Sequence, residues 1–175
     1  MKIVLHFTTL CLLFAACNGP GPNLNEQGQD VLEVNQTFLE NIDASYRDTV
    51  YVPIYSDIYS ESKHTKFNLT ATLSIRNTSL TDTIYIEDID YYDTEGHLVR
   101  HYLEKILLLR PLQSIEYVIE EKDTAGGTGA NFIVNWAAHH DNVKPVFQGV
   151  MISILGQQGV SFLTEGVSIS RRGKD

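Results

Sequence analysis

Over much of its length the chain alternates between apolar and polar residues. Leu69, Ala71, Leu73 and Ile75 are apolar, and Thr70, Thr72, Ser74 and Arg76 between them are polar. A period of two sends alternate side chains to opposite faces, so 69–76 reads as a strand with one buried and one wet face. Ile115, Tyr117 and Ile119 alternate with Ser114, Glu116 and Glu120, apart from Val118. Phe132, Val134 and Trp136 alternate with Ile133, Asn135 and Ala137. Val146, Val150, Ile152 and Ile154 share one parity, which marks them as the apolar face of a further strand. Strands are also predicted at 50–59, 83–92, 97–103, 105–109 and 160–169. After residue 48 no segment carries a helical stripe.

Turn signals divide these runs: Asn77-Thr78-Ser79, Asp93-Thr94-Glu95-Gly96, Arg110-Pro111, Gly126-Gly127, Asp141-Asn142 and 156–159. The stretch 93–96 lies between two strand patterns and predicts a hairpin, with Gly96 free to take a positive φ. Pro53 lacks a backbone N–H, which sends its strand to an edge or a bulge. Eight or nine short strands at this spacing predict an all-β fold, an antiparallel immunoglobulin-like β-sandwich, with a small barrel as the alternative. Ahead of them, Val31, Val34, Phe38 and Ile42 recur at helical spacing. A short amphipathic helix and a partly ordered strand both fit 31–45.

The N-terminus follows a different rule. Lys2 precedes a mostly apolar run at 3–16, and the small residues Ala15 and Ala16 precede Cys17. The run is shorter than the ~20 apolar residues that a bilayer-crossing helix needs, and reads as the apolar part of a signal peptide. Small residues before a cysteine resemble the lipobox of bacterial lipoproteins, with Phe14 where leucine is usual. That resemblance implies cleavage after Ala16, palmitate and related acyl chains on Cys17, and anchorage in the lipid bilayer. Each buried CH₂ contributes ~0.8 kcal/mol to such an anchor, so several chains hold firmly. Asn18 in place of aspartate favours, by the same resemblance, the outer membrane with the domain facing the periplasm. A plain cleaved signal and a short buried helix are the alternatives. Residues 18–30 hold three Gly and two Pro among Asn and Gln and cannot bury a core. The expected organisation is a signal peptide at 1–16, a lipidated Cys17 and flexible linker at 17–47, a β-sandwich domain at 48–170 and a basic tail at 171–175.

Composition narrows the function classes. The net charge of −9 argues against a nucleic-acid binder, which needs a basic face. The 2 cysteines are Cys11 and Cys17, so cysteine nucleophiles, cysteine-ligated zinc and internal disulfides all lack residues in the folded part.

Several stretches in order carry a resemblance: VYVPIYSDIY (50–59), LTATLSIRNTS (69–79), DYYDTEGHLVRHYL (90–103), LRPLQSIEYVI (109–119), GGTGANFIVNW (126–136), GVMIS (149–153) and QGVSF (158–162). Together they resemble the bacterial family known as domain of unknown function 3124. GGTGANF is the most specific piece, and Gln148 departs from the acidic residue expected before the GVM run. The resemblance implies location and fold but brings no reaction. The strand ending in Arg-Asn-Thr and the Tyr-rich hairpin after it also look like the late-embryogenesis-abundant type of sandwich, which is a likeness of fold alone.

Candidate chemistry is sparse. Gly126, Gly127 and Gly129 with Asn131 form a loop whose backbone N–H groups suit an anion. A phosphate loop would also need a following helix and a lysine, and here strand residues follow. The plainer reading is a tight loop with close backbone packing. Tyr51, Tyr55 and Tyr59 are spaced by four, with Tyr91 and Tyr92 on the neighbouring hairpin, so they can share one face. Flat aromatic platforms bind sugars or partner proteins, and they also pack as ordinary strand residues. His97 and His101 lie four apart, ~13 Å on a strand, which is too far to share an ion. His139, His140 and Asp141, together with His64, are the better metal candidates, though their spacing matches no recognised ligand set. Glu87, Asp88, Asp90, Asp93 and Glu95 miss the calcium-loop pattern. There is no G-x-S-x-G elbow and no cofactor motif. The expectation is a non-catalytic binding module of the bacterial cell envelope that recognises an envelope protein or a glycan. A metal- or small-ligand-binding protein and a hydrolase are the alternatives.

Overall fold

The computed structural model describes residues 36–155 and 158–173, so the expected signal peptide, Cys17 and the Gly/Pro-rich linker lie outside the described residues. Thirteen strands follow in order: β1 (Thr37–Leu39), β2 (Tyr46–Pro53), β3 (Asp57–Ser60), β4 (Ser62–Asn68), β5 (Thr70–Arg76), β6 (Ile84–Tyr92), β7 (Leu98–His101), β8 (Ile106–Leu109), β9 (Ser114–Ile119), β10 (Asn131–Ala138), β11 (Val146–Leu155), β12 (Gln158–Glu165) and β13 (Val167–Gly173). All pairings are antiparallel. The larger sheet runs β1-β8-β6-β10-β2-β13 with β7 beside β6, the smaller runs β12-β11-β5-β9, and β3 and β4 form a separate hairpin. The fold is the expected all-β antiparallel sandwich and not a closed barrel.

Alternation builds the core. Ala71, Leu73 and Ile75 of β5, Ile115, Tyr117 and Ile119 of β9, and Phe132, Val134 and Trp136 of β10 are all buried. Aromatic rings fill the middle: Phe132 packs 5.0 Å from Tyr91 and 5.9 Å from Tyr102, and Trp136 lies 5.4 Å from Tyr46. Such tilted pairs add to the area that each ring buries.

Several elements differ from the expected ones. Around 31–45 the described residues take the strand alternative and not the helical one: β1 pairs with β8. The sheet therefore reaches back into the stretch assigned to the linker. The run 50–59 is two strands, β2 and β3, separated by Ile54, Tyr55 and Ser56. The run 160–169 is also two, and β12 and β13 join different sheets. β13 continues to Gly173, so 171–173 are strand and not a frayed tail. β4 carries no apolar alternation and is exposed over most of its length.

The largest correction concerns β11. Phe147, Gly149, Met151 and Ser153 face inward, while Val146, Val150, Ile152 and Ile154 face outward. Both parities of this strand are partly apolar, and the decisive residue is Gly149. A Cβ there would stand 2.6 Å from Ile54 Cδ1 and 2.8 Å from the Pro53 carbonyl oxygen. Glycine there leaves room for the β2–β3 connection to pack against β11.

Candidate functional site

The site grows from a β-bulge. In β6, Ile86 lies opposite Trp136 and Asp88 opposite Asn135, so Glu87 is an extra residue between them. A bulge re-aims side chains. Here it sets Ile84 and Ile86 inward before it and Ile89 and Tyr91 inward after it, and turns both Glu87 and Asp88 to the outer face of the larger sheet. On that face Glu87, Asp88, Asn135, Thr49, Ser170, Arg47 and Asp48 line a groove of about 280 Å³.

Its groups are held by one another. Arg47 Nε donates to Glu87 Oε1 at 3.0 Å and Arg47 Nη1 to the Ala44 carbonyl at 3.0 Å. Thr49 Oγ1 donates to Asn135 Oδ1 at 2.8 Å, and Asn135 Nδ2 to Asp88 Oδ2 at 3.2 Å. Asp48 is buried and accepts from the Thr49 N–H at 2.8 Å and from Ser168 Oγ at 2.7 Å. The floor is thus a planar amide between a hydroxyl and a carboxylate, flanked by an ion pair.

Tyrosines border it. The register places Tyr51 one row to one side, between Ile133 and Val167, and Tyr85 one row to the other, in line with Ala137 and Arg47. Tyr85 Oη is 2.9 Å from His139 Nε2.

The expected aromatic platform is divided. Tyr51 and Tyr92 are half-buried on this face. Tyr55 packs edge-on against Phe162, 5.8 Å away, and Tyr59 stands exposed on β3 with Lys66 Nζ 4.9 Å from its ring. Tyr91 is not a surface residue at all: it is fully buried, and its hydroxyl meets Ser56 Oγ at 2.7 Å. Burial raises its phenol above the ordinary value.

The Gly-rich loop is tied to its neighbours. The Gly126 carbonyl accepts from the Thr94 N–H at 2.9 Å and the Gly127 carbonyl from the Ser56 N–H at 3.0 Å. Gly129 N donates to Thr94 Oγ1 at 3.0 Å. A Cβ on Gly126 would fall 1.9 Å from the Tyr91 hydroxyl. Asn131 begins β10, opposite Pro53 and Tyr92. The geometry is that of a tight loop over the core.

Among the described residues no group of three or more His, Cys, Asp or Glu is placed to hold a metal ion. His64, His139, His140 and Asp141 are therefore not gathered into one ligand set. His139 is engaged with Tyr85, and His140 and Asp141 are exposed. His97 belongs to the hairpin turn, where Asp93 Oδ1 accepts from the Glu95 and His97 N–H groups at 2.9 and 2.8 Å and Gly96 takes φ 83°.

His101 sits beside the groove face with an acceptor at each ring nitrogen: Asp90 Oδ1, 2.6 Å from Nδ1, and the Leu103 carbonyl at Nε2. Two acceptors require two ring protons, so the imidazolium is favoured, and the pKa is raised above 6.5, chiefly by the Asp90 hydrogen bond. The imidazolium therefore contributes its full stabilisation below about pH 6.5 and loses it as pH rises through the folded-state value. Its side chain is 39% exposed, so solvent screening keeps the effect below about 1 kcal/mol. Thermal melts across pH 5–9 are expected to show a small loss of stability on the alkaline side that is absent in His101→Gln.

Sequence reasoning noticed Glu87 and Asp88 only as part of an acidic run, and missed Arg47, Thr49, Asn135 and Ser170. They come from β2, β6, β10 and β13, and no local spacing joins them.

A family model described as "Protein of unknown function (DUF3124)" matches residues 47–169. No curated protein matches the chain. The crystal structure of Thermotoga maritima 1070 is similar over 69% of this chain and 92% of its own, at 14% identity and a TM-score of 0.39.

Proposed function

From the premise that the chain belongs to the DUF3124 family, whose function is unknown, we propose that it is a lipid-tethered, non-catalytic module of the bacterial envelope that binds a glycan on the outer face of its larger sheet. The observation that carries this reading is the groove between Tyr51 and Tyr85. Its planar amide, hydroxyls, guanidinium and carboxylates offer donors and acceptors at fixed positions. Sugars present alternating hydroxyls and apolar ring faces, which such polar centres and flanking aromatic rings complement. The small residues before Cys17 support attachment to a membrane, and Asn18 supports the outer one.

Trp136 is the 1 tryptophan and is buried, so its fluorescence reports unfolding. The full chain in mild detergent is to be melted against peptidoglycan fragments and neutral oligosaccharides. A ligand at 100 times its Kd stabilises by ~2.7 kcal/mol, which for a chain of this size raises Tm by roughly 5–10 °C. The shift is expected to vanish in Asn135→Ala and in Tyr51→Ala and to persist in Tyr59→Ala. A flat response to every glycan, or a shift that survives Asn135→Ala, would count against the reading.

A further inference from the structure

We propose that β12 is a self-association edge: two copies of this chain pair their β12 strands antiparallel about a two-fold axis and join their smaller sheets into one. The proposal stands apart from the groove and does not depend on it.

The edges of the two sheets are not alike. An edge strand offers unpaired N–H and C=O groups to any other strand, and proteins blunt it by shortness, charge, proline or a bulge. β1 has three residues. β13 carries an irregularity between Ser168 and Ser170, and its sequence includes Arg171 and Arg172. β9 carries Glu116 and runs into Glu120 and Glu121. β12 has eight residues with no proline, lysine or arginine and no register shift against β11. Among the described residues no strand pairs its outer edge.

Charge selects the occupant. Residues 145–164 contain no charged side chain, although 20% of the chain is charged and its net charge is −9. Two such chains repel over most of their surfaces, and the β11–β12 hairpin is where they can approach without opposing charge.

The side chains of β12 are self-complementary. Val160, Phe162 and Thr164 lie inward and Ser161 and Leu163 outward. A two-fold axis through Phe162 sets Val160 against Thr164 of the second copy on the inner face, and Ser161 against Leu163 on the outer. Glu165 then faces Gly159 of the second copy, so the two glutamates sit at opposite ends of the pairing. Leu163, Ile152 and Ile154, exposed at 57%, 48% and 80%, lie on the outer face, and because Ile152 is opposite Ser161 the pairing brings Leu163 of the second copy into the row of Ile152. This is the closed, isologous arrangement that most homodimers adopt.

The test is sedimentation equilibrium of the full chain in density-matched detergent, with hydrogen exchange at low and high protein concentration. A mass of twice 19.7 kDa is expected, together with β12 amides whose exchange slows as concentration rises. Leu163→Lys and, as a second variant, Ser161→Lys are expected to give monomers with an unchanged circular-dichroism spectrum, while Ile169→Lys on β13 leaves the dimer intact. A chain that stays monomeric up to about 100 µM would overturn the proposal, since a dimer of μM affinity would be largely formed there. So would a dimer that tolerates both lysines, or one that Val118→Lys on the opposite edge dissociates while β12 amides stay unprotected.

Discussion

Gly126→Ala is expected to destabilise the protein by about 3 kcal/mol, at the upper end for overpacking a filled site. The backbone is not the obstacle, because Gly126 has φ −77° and ψ −35°, a conformation that alanine prefers. The obstacle is space. The added Cβ would stand 1.9 Å from the Tyr91 hydroxyl, 2.6 Å from Ala130 Cβ and 2.7 Å from Ser56 Oγ. Tyr91 cannot swing away, since its ring is fully buried against Phe132. A double-mutant cycle isolates this cause. Tyr91→Phe alone leaves the buried Ser56 hydroxyl without its partner and costs about 1–3 kcal/mol. In the double variant the atom in closest conflict is gone, so the combined loss is expected to fall below the sum of the single losses. Denaturant melts of the four proteins measure it, and strict additivity would place the role of Gly126 elsewhere.

Asn77→Ala is expected to cost a similar amount, about 3 kcal/mol. Asn77 is buried just past the end of β5, and its side-chain amide lies within hydrogen-bond distance of four backbone groups, the two Nδ2 protons being shared among three carbonyls. Its Nδ2 lies 2.8 Å from the Asp82 carbonyl and 3.1 Å from those of Leu109 and Arg110, and its Oδ1 accepts from the Ser79 N–H at 3.0 Å. One side chain thus fastens the β5–β6 turn to the end of β8. Alanine removes these hydrogen bonds, leaving the Arg110 carbonyl its bond from the Gln113 N–H at 3.0 Å, and each interior group left unpaired costs about 1–3 kcal/mol before relaxation. Asn77→Asp is the sharper variant. It keeps the acceptor for Ser79 but turns a second oxygen towards three carbonyls. The carboxylate is disfavoured there, so its pKa in the folded variant is raised. The variant is expected to be weakest at neutral pH and to recover part of the loss as pH falls through that raised value, opposite to ordinary acid denaturation. Melts at pH 4.5 and 7.5, compared with those of Asn77→Ala, read the difference.

Legibility followed locality. The 93–96 hairpin could be read because Asp93 and Gly96 make the turn from their own side chain and backbone. The inner faces of β5, β9 and β10 could be read because large apolar residues alternate there with polar ones. β11 could not, because a glycine and a serine share its inner face with Phe147 and Met151. Tyr91 was misplaced because it and Tyr92, as successive strand residues, cannot share a face, and the bulge at Glu87 decides which of the two is buried. Counted by twos from Ile84, the inward residues would be Asp88, Asp90 and Tyr92; one extra residue moves Ile89 and Tyr91 inward instead. The same extra residue makes the groove. Its other members are brought in by pairings as distant as Ser168 with Asp48, 120 residues apart, which no short motif encodes.

The place of β2 in the larger sheet has a consequence for biogenesis. β2 comes early among the described strands, yet it sits between β10 and β13, and its second neighbour is the last of them. A nascent chain that has emerged only as far as β12 holds all of the smaller sheet while one side of β2 stays bare. Pairings of such long sequence separation close late and slowly. The larger sheet is therefore completed only when β13 closes on β2, and until then the bare edge of β2 is open to pairing with any other strand.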